Sequence, residues 1–274
     1  MTAAPRTGIW NAAMLVVFAA ITVLPILGIV LLSLQPEQVL LSGLEWPDRL
    51  HFENYARAFQ VAHFADYLRS SLIVSIAVVV GTVVVSTLSG YAFGTMRFAG
   101  QSVLFYLLLT GLVIPFEAVI VPLYFELRAA QLTNSYWSVI LPLIGTNSAF
   151  GTFWMRAYFR AVPRQLMEAA AMDGAGSLRI LWKVLLPGAR PALLTLVVLV
   201  FMWSWNEFLL PLVMLSREDL RTAPLGLAFF AGRFTTDRVG MAAAAVMVAL
   251  PVVVLFIATH RRFVHGMWVG ALKQ

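Results

Sequence analysis

Long apolar segments run along most of the chain, and shorter polar stretches that carry most of the charges separate them. A helix needs about 20 mainly apolar residues to cross about 30 Å of hydrocarbon in a lipid bilayer. Six segments have this character, at residues 9–34, 70–96, 102–126, 136–158, 192–215 and 239–259. The pattern therefore predicts an all-α membrane protein with six transmembrane helices.

Two features of these segments affect the expected helices. The first segment follows Arg6, but it is longer than a usual secretory signal core and has no obvious small-x-small cleavage site, so we expect it to be retained. The third and fourth segments contain Pro115, Pro122 and Pro142. A membrane helix tolerates proline when neighbouring groups bind the freed carbonyls, so we expect kinked helices there.

The composition supports a membrane protein: 61% of the residues are hydrophobic, 12% are charged and the mean hydropathy is +0.86. A soluble domain is about half apolar and about one quarter charged, so it could not hide this much apolar surface. We expect a single membrane domain across residues 1–274, in the cell membrane. The chain has no cysteine, which excludes disulfides, thiolate metal sites and thiol nucleophiles.

The net charge of +6 would suggest nucleic acid as the partner of a soluble protein, but here the basic residues flank apolar segments and set membrane orientation. With the N-terminus inside, the cytoplasmic connections would hold Arg6, Arg97, Arg156, Arg160, Arg164, Arg179, Lys183, Arg190, Arg261, Arg262 and Lys273. The external connections would hold Arg49, Arg57, Arg69, Arg128, Arg217, Arg221, Arg233 and Arg238. This excess predicts that both termini are cytoplasmic and that lipid, not nucleic acid, surrounds the chain.

The longest cytoplasmic connection, residues 156–190, has the pattern of two short helices around a turn. Pro163 suits the start of the first helix, which continues through small residues that the surface of another protein could approach closely. Asp173 and Gly174 are expected to end this helix, because glycine adopts backbone angles that other residues avoid.

The second short helix has an apolar face and a basic face. Apolar residues recur at helical spacing at Leu178, Leu181, Trp182 and Leu185, and the basic residues are Arg179 and Lys183. Pro187 and Pro191 are expected to end the helix. Such a helix could lie along the cytoplasmic membrane surface or dock its polar side onto a soluble partner.

Several motifs are similar to those of a known family. The coupling motif of binding-protein-dependent ABC importer permeases resembles Glu168-Ala169-Ala170, then Asp173-Gly174-Ala175, then Leu186-Pro187 and Pro191. The maltose-type sugar permeases of that family resemble this chain at Ile114-Pro115, Pro122-Leu123-Tyr124, Phe150-Gly151-Thr152-Phe153, Trp205-Asn206-Glu207-Phe208 and Arg262-Phe263-Val264-His265-Gly266. The resemblance covers about residues 70–274.

The resemblance implies the six-helix MetI-like permease fold and import of a carbohydrate or carbohydrate-like solute. It also implies three partners: a second related permease, an ATPase dimer at the cytoplasmic face and an external solute-binding protein. The chain has no GxxxxGK[ST] phosphate loop, so ATP and Mg would belong to the ATPase, and the chain itself would hold no cofactor and would not be an enzyme. The solute could be an oligosaccharide, a disaccharide, an amino sugar or glycerol phosphate.

The resemblance also assigns coupling with the ATPase to one short helix and its turn. The residues concerned are Glu168, Ala169, Ala170, Met172, Asp173, Gly174, Ala175 and Ser177. Glu168 would pair with a basic residue of the ATPase, and the alanines would allow a close fit. Residues 262–274 resemble an extension that reaches between the ATPase subunits, and the external segment 216–238 would act in release of the solute.

Polar and aromatic residues inside the apolar segments are candidates for the solute pathway, because polar groups at membrane depth are costly unless they face a cavity or each other. The candidates are Glu117, Asn147, Trp205, Asn206 and Glu207. A hydrogen bond between helices is the simpler role for Glu117, and Asn206 and Glu207 could equally fasten the end of their helix to a neighbour. The tryptophan rings, with Trp203, could stack on a sugar or lie at the membrane interface.

Two further residue sets lead to expectations about metal binding and packing. His51, His63, His260 and His265 have no partners at metal-ligand spacing, so we expect no metal site. The second apolar segment has a small-residue face made of Gly81, Ser86, Ser89, Gly90 and Gly94. This face predicts the close approach of another helix.

Two other function classes are alternatives. A membrane-embedded hydrolase needs a paired acid and base within hydrogen-bond reach, and Glu117 and Glu207 have no His, Cys or second carboxylate at helical spacing. This alternative also leaves residues 156–190 without a role. A secondary transporter driven by an ion gradient usually has related halves and broken helices around a midplane ion site, and neither is evident in the sequence.

Overall fold

The computed structural model describes residues 7–37, 46–61, 64–230 and 237–271, and every regular element in these ranges is helical. The α-helices are α1 (Thr7–Ser33), α2 (Glu53–Val61), α3 (Phe64–Thr95), α4 (Gln101–Thr110), α5 (Phe116–Ala129), α6 (Trp137–Ala161), α7 (Arg164–Met172), α8 (Ser177–Ile180), α9 (Leu186–Trp205), α10 (Leu209–Met214), α11 (Ala223–Gly226) and α12 (Arg238–Ala271). A π-helical turn lies at Leu181–Leu185, and 3₁₀ turns lie at Glu218–Leu220 and Leu227–Phe230. The predicted all-α class is confirmed.

Four helices among the described residues are long and apolar enough to cross a membrane: Trp10–Ser33, Phe64–Thr95, Ser177–Trp205 and Arg238–Thr259. The fourth predicted span is also one continuous helix, α6, which has 25 residues and keeps Pro142 inside it. Its middle is more polar than the other spans, because Thr146, Asn147 and Ser148 follow one another there.

The third predicted span, residues 102–126, is not one helix. α4 ends at Thr110 and α5 begins at Phe116, with Pro115 in an extended conformation at the N-cap of α5. Proline has no N–H to donate, and its ring disfavours a helical conformation in the residue before it. The expected kink at this proline is therefore a complete break, and the fifth predicted span is likewise divided between α9 and α10.

Pro187 and Pro191 do not end the second helix of the cytoplasmic connection, contrary to the sequence prediction. One helical path runs from α8 through the π-helical turn to the end of α9. The Leu186 N–H, just before the first of these prolines, donates to Leu181 O, five residues back. A wide turn of this kind rearranges the backbone bonds where proline cannot donate one, so the helix passes both prolines.

The described helices form two compact units, one from Met1–Ala65 and Gly226–Leu250 and the other from Asp66–Leu225 and Pro251–Gln274. In the first unit, most side chains of α1 from Trp10 to Ile29 are apolar and exposed. An apolar surface of this size needs lipid or another chain to cover it.

Hydrogen bonds fasten α2 to the end of α1 within the first unit. Ser33 Oγ lies 2.6 Å from Tyr55 OH, and Asn54 Nδ2 donates to Ser33 O at 3.0 Å. Arg57 of the same helix lies 3.5 Å from a carboxylate oxygen of Asp237, which precedes α12. These polar contacts position the short helix α2, which carries charged and polar side chains as well as apolar ones.

The second unit is built around close packing of α3 on α6. A Cβ atom added at Gly90 would lie 2.6 Å from Met155 Cβ, and one added at Gly94 would lie 3.0 Å from Phe159 Cβ. The same packed face of α3 includes Gly81, Ser86 and Ser89. The close approach predicted from the small residues is confirmed, and larger side chains would force the two helices apart.

The core of the second unit extends to residues 156–190, the connection predicted to be cytoplasmic. Its fully buried members include Met155, Phe159, Leu181, Leu185, Leu196 and Leu210. Because two of these leucines belong to the π-helical turn, the core holds that turn against the membrane helices.

Candidate coupling site and solute pathway

The candidate coupling residues form one helix-turn-helix in the second unit, with residues 173–176 as the turn between α7 and α8; we name these four residues the coupling turn. The Gly174 N–H donates to Ala171 O at 3.0 Å, and the Ala175 N–H donates to Ala170 O at 3.0 Å. Gly174 has a φ of 77°. A residue with a Cβ is strained in this left-handed conformation, so glycine fixes the turn that the sequence predicted here.

One side of α7 packs on the protein and the other side is exposed. Met167, Ala170 and Ala175 are half-buried against the core, whereas Met172 has 88% of its surface exposed. The exposed side also carries Glu168, Ala169 and Asp173. Among the described residues Glu168 forms no ion pair with a basic side chain. This side is thus available to another protein, and its small side chains permit a close approach.

Tyr91 of α3 holds Ser177, the first residue after the coupling turn. The Tyr91 hydroxyl lies 3.0 Å from Ser177 Oγ and donates to Ser177 O at 3.2 Å. Tyr91 is 6% exposed, and its ring meets Phe159 edge-on with centroids 5.9 Å apart. No sequence motif pointed to this residue; the available signal was a tyrosine near one end of an aliphatic helix, because a buried tyrosine hydroxyl usually has a partner.

A second set of contacts joins the same ends of α3, α4 and α6. The carbonyl oxygen of Phe93 accepts hydrogen bonds from Arg156 Nε at 3.2 Å and from Gln101 Nε2 at 2.9 Å. The Arg156 guanidinium also lies 3.8 Å from the centre of the Phe105 ring. The Arg156 cation thus donates a hydrogen bond to a carbonyl near the C-terminal end of α3. The helix dipole favours a positive charge at that end.

The apolar face expected on the second short helix is divided between the core and the surface. Leu181 and Leu185 are fully buried, whereas Leu178 and Trp182 are each 63% exposed. The helix continues into α9, so only one of its sides meets the core. The exposed pair is left for lipid or for another chain.

The break between α9 and α10, residues 206–208, contains two of the candidate pathway residues, and we name it the pathway break. Asn206 Nδ2 donates to Met202 O at 2.8 Å, and Glu207 Oε1 accepts the Leu210 N–H at 3.0 Å. Both hydrogen bonds satisfy backbone groups at the ends of these helices. Neither bond reaches a neighbouring helix, so the two residues cap their own helices instead of fastening them to a neighbour.

Trp205 lies in the protein interior. It is 1% exposed, and its ring stacks on Phe201 with centroids 5.4 Å apart. Trp203 is 44% exposed and meets Phe150 edge-on at 5.0 Å. The Trp205 ring is therefore not accessible to a solute in this conformation. This burial disagrees with the sequence prediction that Trp205 lines the solute pathway.

The other two pathway candidates lie in the second unit on α5 and α6. Glu117 is exposed in the first turn of α5, and Asn147 is half-buried in the middle of α6. An open depression of about 460 Å³ is lined by Leu104, Leu107, Leu108, Gly111, Gly145, Thr146, Ser148 and Ala149, and Asn147 is not among its lining residues. The lining is mainly apolar and the Ser148 hydroxyl is buried, so the depression offers few polar groups to a sugar.

The segment after α10 is bonded to the loop before α6 and to α3 within the second unit. The Asn134 Oδ1 atom accepts the Ser216 N–H at 2.6 Å, and the Ala223 N–H donates to Ser71 Oγ at 2.8 Å. A hydrogen bond from the Arg217 guanidinium lowers the pKa of Asp219 below its ordinary value. The part of the segment before residue 226 thus has a defined path.

Some sequence predictions fall outside the described parts of the chain. These are Arg6, His63, residues 231–236, the side chains of residues 260–271 and residues 272–274 of the tail. Within the described residues no group of three or more His, Asp and Glu side chains could hold a metal ion.

Relatives match the chain along most of its length. Residues 82–268 match the family described as "Binding-protein-dependent transport system inner membrane component". The arabinooligosaccharides transport system permease protein AraQ of Halalkalibacterium halodurans is 35% identical, with 93% of this chain and 92% of that protein covered. The diacetylchitobiose uptake system permease protein NgcG of Streptomyces coelicolor is 30% identical, with 95% of this chain and 87% of that protein covered.

Two solved structures have a similar arrangement of helices. A bacterial ABC transporter involved in the import of the acidic polysaccharide alginate has a chain that aligns with a TM-score of 0.83 at 25% identity, covering 96% of this chain and 100% of its own. The bacterial alginate ABC transporter in complex with an alginate pentasaccharide-bound periplasmic protein aligns with a TM-score of 0.69 at 14% identity, covering 93% and 95%. The second likeness is one of fold alone.

Proposed function

The chain belongs to the binding-protein-dependent transport system inner membrane component family, and on this basis we propose how its two candidate sites act. It is the permease subunit of an ATP-binding-cassette importer for a carbohydrate or carbohydrate-like solute. The MetI-like permease fold expected from the sequence is confirmed by the structural alignment over 96% of the chain.

The exposed side of α7 is the observation that carries the proposal. We assign coupling with the ATPase to Glu168, Ala169, Ala170, Met172, Asp173, Gly174, Ala175 and Ser177, of which Ala170 and Ala175 pack on the core and the others are exposed. Glu168 pairs with a basic residue of the ATPase, and the fixed φ of Gly174 keeps α7 at one angle to α8. Because one helical path continues from α8 into α9, closure of the ATPase displaces a membrane helix as a rigid-body movement.

The proposed assembly contains three kinds of partner. An ATPase dimer at the cytoplasmic face binds ATP and Mg and hydrolyses the nucleotide, a second related permease completes the membrane part, and an external solute-binding protein delivers the solute. The coupling turn and both termini lie on the cytoplasmic side, which agrees with the excess of Lys and Arg there. The exposed apolar side chains of α1 are covered by lipid or by the second permease.

The solute pathway includes the polar groups at Glu117, Asn147, Asn206 and Glu207. Asn206 is exposed at the pathway break, and its capping bond leaves the amide oxygen able to accept from a sugar hydroxyl. The solute is a carbohydrate, as the names of the relatives suggest: arabinooligosaccharides for one and diacetylchitobiose for the other. Oligosaccharides, disaccharides, amino sugars and glycerol phosphate are the candidates to be compared.

The test is binding-protein-stimulated ATP hydrolysis by the complete transporter, purified with the products of its genomic neighbours and reconstituted in lipid. Glu168→Ala is compared with the native chain and with Glu126→Ala, a matched control at an exposed glutamate of α5. We expect the first variant to lower stimulated hydrolysis by roughly tenfold, as for loss of one charge-assisted bond, and the control to match the native chain.

The results separate the proposed importer from its alternatives. Loss of stimulation in a complex that still assembles supports the coupling role of Glu168. Native-like stimulation in that variant contradicts it. Uptake that continues without any ATPase and follows an ion gradient would instead identify a secondary transporter.

A further inference from the structure

A part-buried hydroxyl contact joins the residue after the coupling turn to a membrane helix other than the one that follows it in the chain. We propose that Tyr91 is a positioning residue, which passes displacement of the coupling turn to α3 in parallel with the path through α9. This inference rests on the proposed coupling function of residues 168–177 and adds a second route by which movement leaves that site.

The Tyr91 hydroxyl makes two contacts with one residue. It lies 3.0 Å from Ser177 Oγ and 3.2 Å from Ser177 O. A phenol hydroxyl donates one hydrogen and can accept another, so it donates to the carbonyl and accepts from the serine hydroxyl at the same time. Two contacts restrain both the distance between α3 and α8 and their relative rotation.

The surroundings of Tyr91 make this contact difficult to break. The ring is buried, and it packs edge-on against Phe159, which is itself 1% exposed. Ser177 is exposed and the contact is part-buried, so only the Tyr91 side is shielded from water. On that side a hydrogen bond is stronger than in water, and a hydroxyl left without a partner is costly. When Ser177 moves, joint movement of α3 is therefore favoured over separation of the two residues.

The path along the chain passes through a π-helical turn. Ser177 O also accepts the Leu181 N–H, and the π-helical turn starts at that residue. Such turns are one of the few features at which helices kink sharply. A bend at residues 181–185 would absorb part of a displacement before it reached α9, whereas Tyr91 acts on the segment before the bend.

From α3 the displacement continues to α6. The glycines on either side of Tyr91 bring the two helix backbones together, since a Cβ added at Gly90 would lie 3.0 Å from the backbone nitrogen of Arg156 and one added at Gly94 would lie 3.3 Å from its carbonyl oxygen. Interfaces packed this closely move as units instead of deforming gradually. Tyr91 thus connects the coupling turn to the pair formed by α3 and α6.

The test uses Tyr91→Phe, which removes the hydroxyl and keeps the ring, in the complete reconstituted transporter. Tyr124→Phe is the matched control, because Tyr124 is half-buried in the same unit and its hydroxyl has no hydrogen-bond partner among the described residues. Basal hydrolysis, binding-protein-stimulated hydrolysis and solute uptake are measured for each. We expect Tyr91→Phe to lower stimulated hydrolysis and uptake on the order of fivefold to tenfold, with basal hydrolysis unchanged.

The number of ATP molecules hydrolysed per solute imported separates positioning from a merely structural role. A structural defect lowers the amount of assembled complex and leaves this ratio unchanged, whereas a loosened connection raises it. An assembled Tyr91→Phe transporter with native ratio and stimulation would overturn the proposal.

Ser177→Ala provides an independent variant. It removes the serine hydroxyl and leaves Ser177 O, so we expect a loss of roughly threefold, and the double variant should be no worse than Tyr91→Phe alone. Additive losses would overturn the proposal, because they would show two separate effects. If Tyr91→Phe does not assemble, native-like coupling in Ser177→Ala overturns it.

Glu168→Ala, measured beside these variants, distinguishes failure of the inference from failure of the proposed function. Loss of coupling in Glu168→Ala with native coupling in Tyr91→Phe rejects the role of Tyr91 alone. Native coupling in both variants rejects the coupling site itself.

Discussion

The coupling turn and the pathway break both interrupt helices, but they are built differently. The coupling turn depends on one backbone conformation, the φ of 77° at Gly174, and the residue that follows it is held by Tyr91. The pathway break has no residue of this kind: Asn206 and Glu207 cap the two helix ends, and the buried Trp205 precedes them.

This difference corresponds to two uses of an interrupted helix. An interruption that meets another protein has to keep a fixed angle, so a left-handed conformation that only glycine adopts easily is held in place by contacts around it. An interruption inside a membrane span has to satisfy the freed backbone groups locally, and it exposes polar atoms in doing so. The first use suits transmission of movement, and the second suits contact with a solute.

The largest effect is expected when the packing that supports the pathway break is removed. Trp205→Ala deletes a fully buried ring and should reduce the free energy of unfolding by about 3–5 kcal/mol, whereas Trp203→Ala, at a half-exposed ring, should reduce it less. Thermal unfolding of the purified permease measures both. If the Trp205→Ala variant is as stable as the native chain but transports solute more weakly, the result would show that the Trp205 ring contacts the solute.

The next largest effect is expected at Gly174, and Gly176 of the same coupling turn is its control. Gly174→Val forces a β-branched residue into the left-handed region. This change should lower stimulated ATP hydrolysis by roughly tenfold or more. Gly176 has a φ of −70° and no atom within 4 Å of an added Cβ, so Gly176→Ala should match the native chain. Equal losses in the two variants would show that backbone conformation at residue 174 does not matter.

A moderate effect is expected at the pathway break itself. Glu207→Ala removes the cap of α10 and should cost about 1 kcal/mol of stability, while Asn206→Ala should raise the KM for solute uptake by about threefold through loss of one hydrogen bond. Both variants should keep the native number of ATP molecules hydrolysed per solute. A change in that ratio would show that the pathway break also takes part in coupling.

The smallest effect is expected at Asp219, in the segment that follows the pathway break and α10. The hydrogen bond from Arg217 lowers the pKa of Asp219, so the stabilisation is present above the ordinary value of about 4 and is lost as pH falls through the lower, folded-state value. Both side chains are exposed, and we expect only a small fall in thermal stability below about pH 4. Arg217→Ala should abolish this pH dependence; an unchanged profile would contradict the assignment.

The sequence predicted the elements whose cause is local. Gly174 and the small-residue face of α3 were identified because backbone conformation and close helix packing each require particular residue types. The same is true of the all-α class, because the length of an apolar segment sets its ability to cross a bilayer.

Features that depend on distant parts of the chain were missed or misplaced. The helix passes Pro187 because a π-helical turn precedes it, and Trp205 is buried because Phe201 and the surrounding helices cover it. Tyr91 and Ser177 are far apart in the chain, so their contact had no sequence signal. Local rules cannot supply this information, since each case depends on which helices become neighbours.

Contact between the exposed side of α7 and an ATPase is the central claim, and the absence of cysteine allows a direct test. A thiol-linked photo-crosslinker attached to Met172→Cys would be the only label on the permease, and Val113→Cys, 81% exposed after α4, is the matched control. After illumination of the assembled transporter, we expect a covalent adduct of the permease with the ATPase for Met172→Cys and none for Val113→Cys. Absence of the adduct from Met172→Cys in an assembled, active complex would show that this side of α7 does not contact the ATPase.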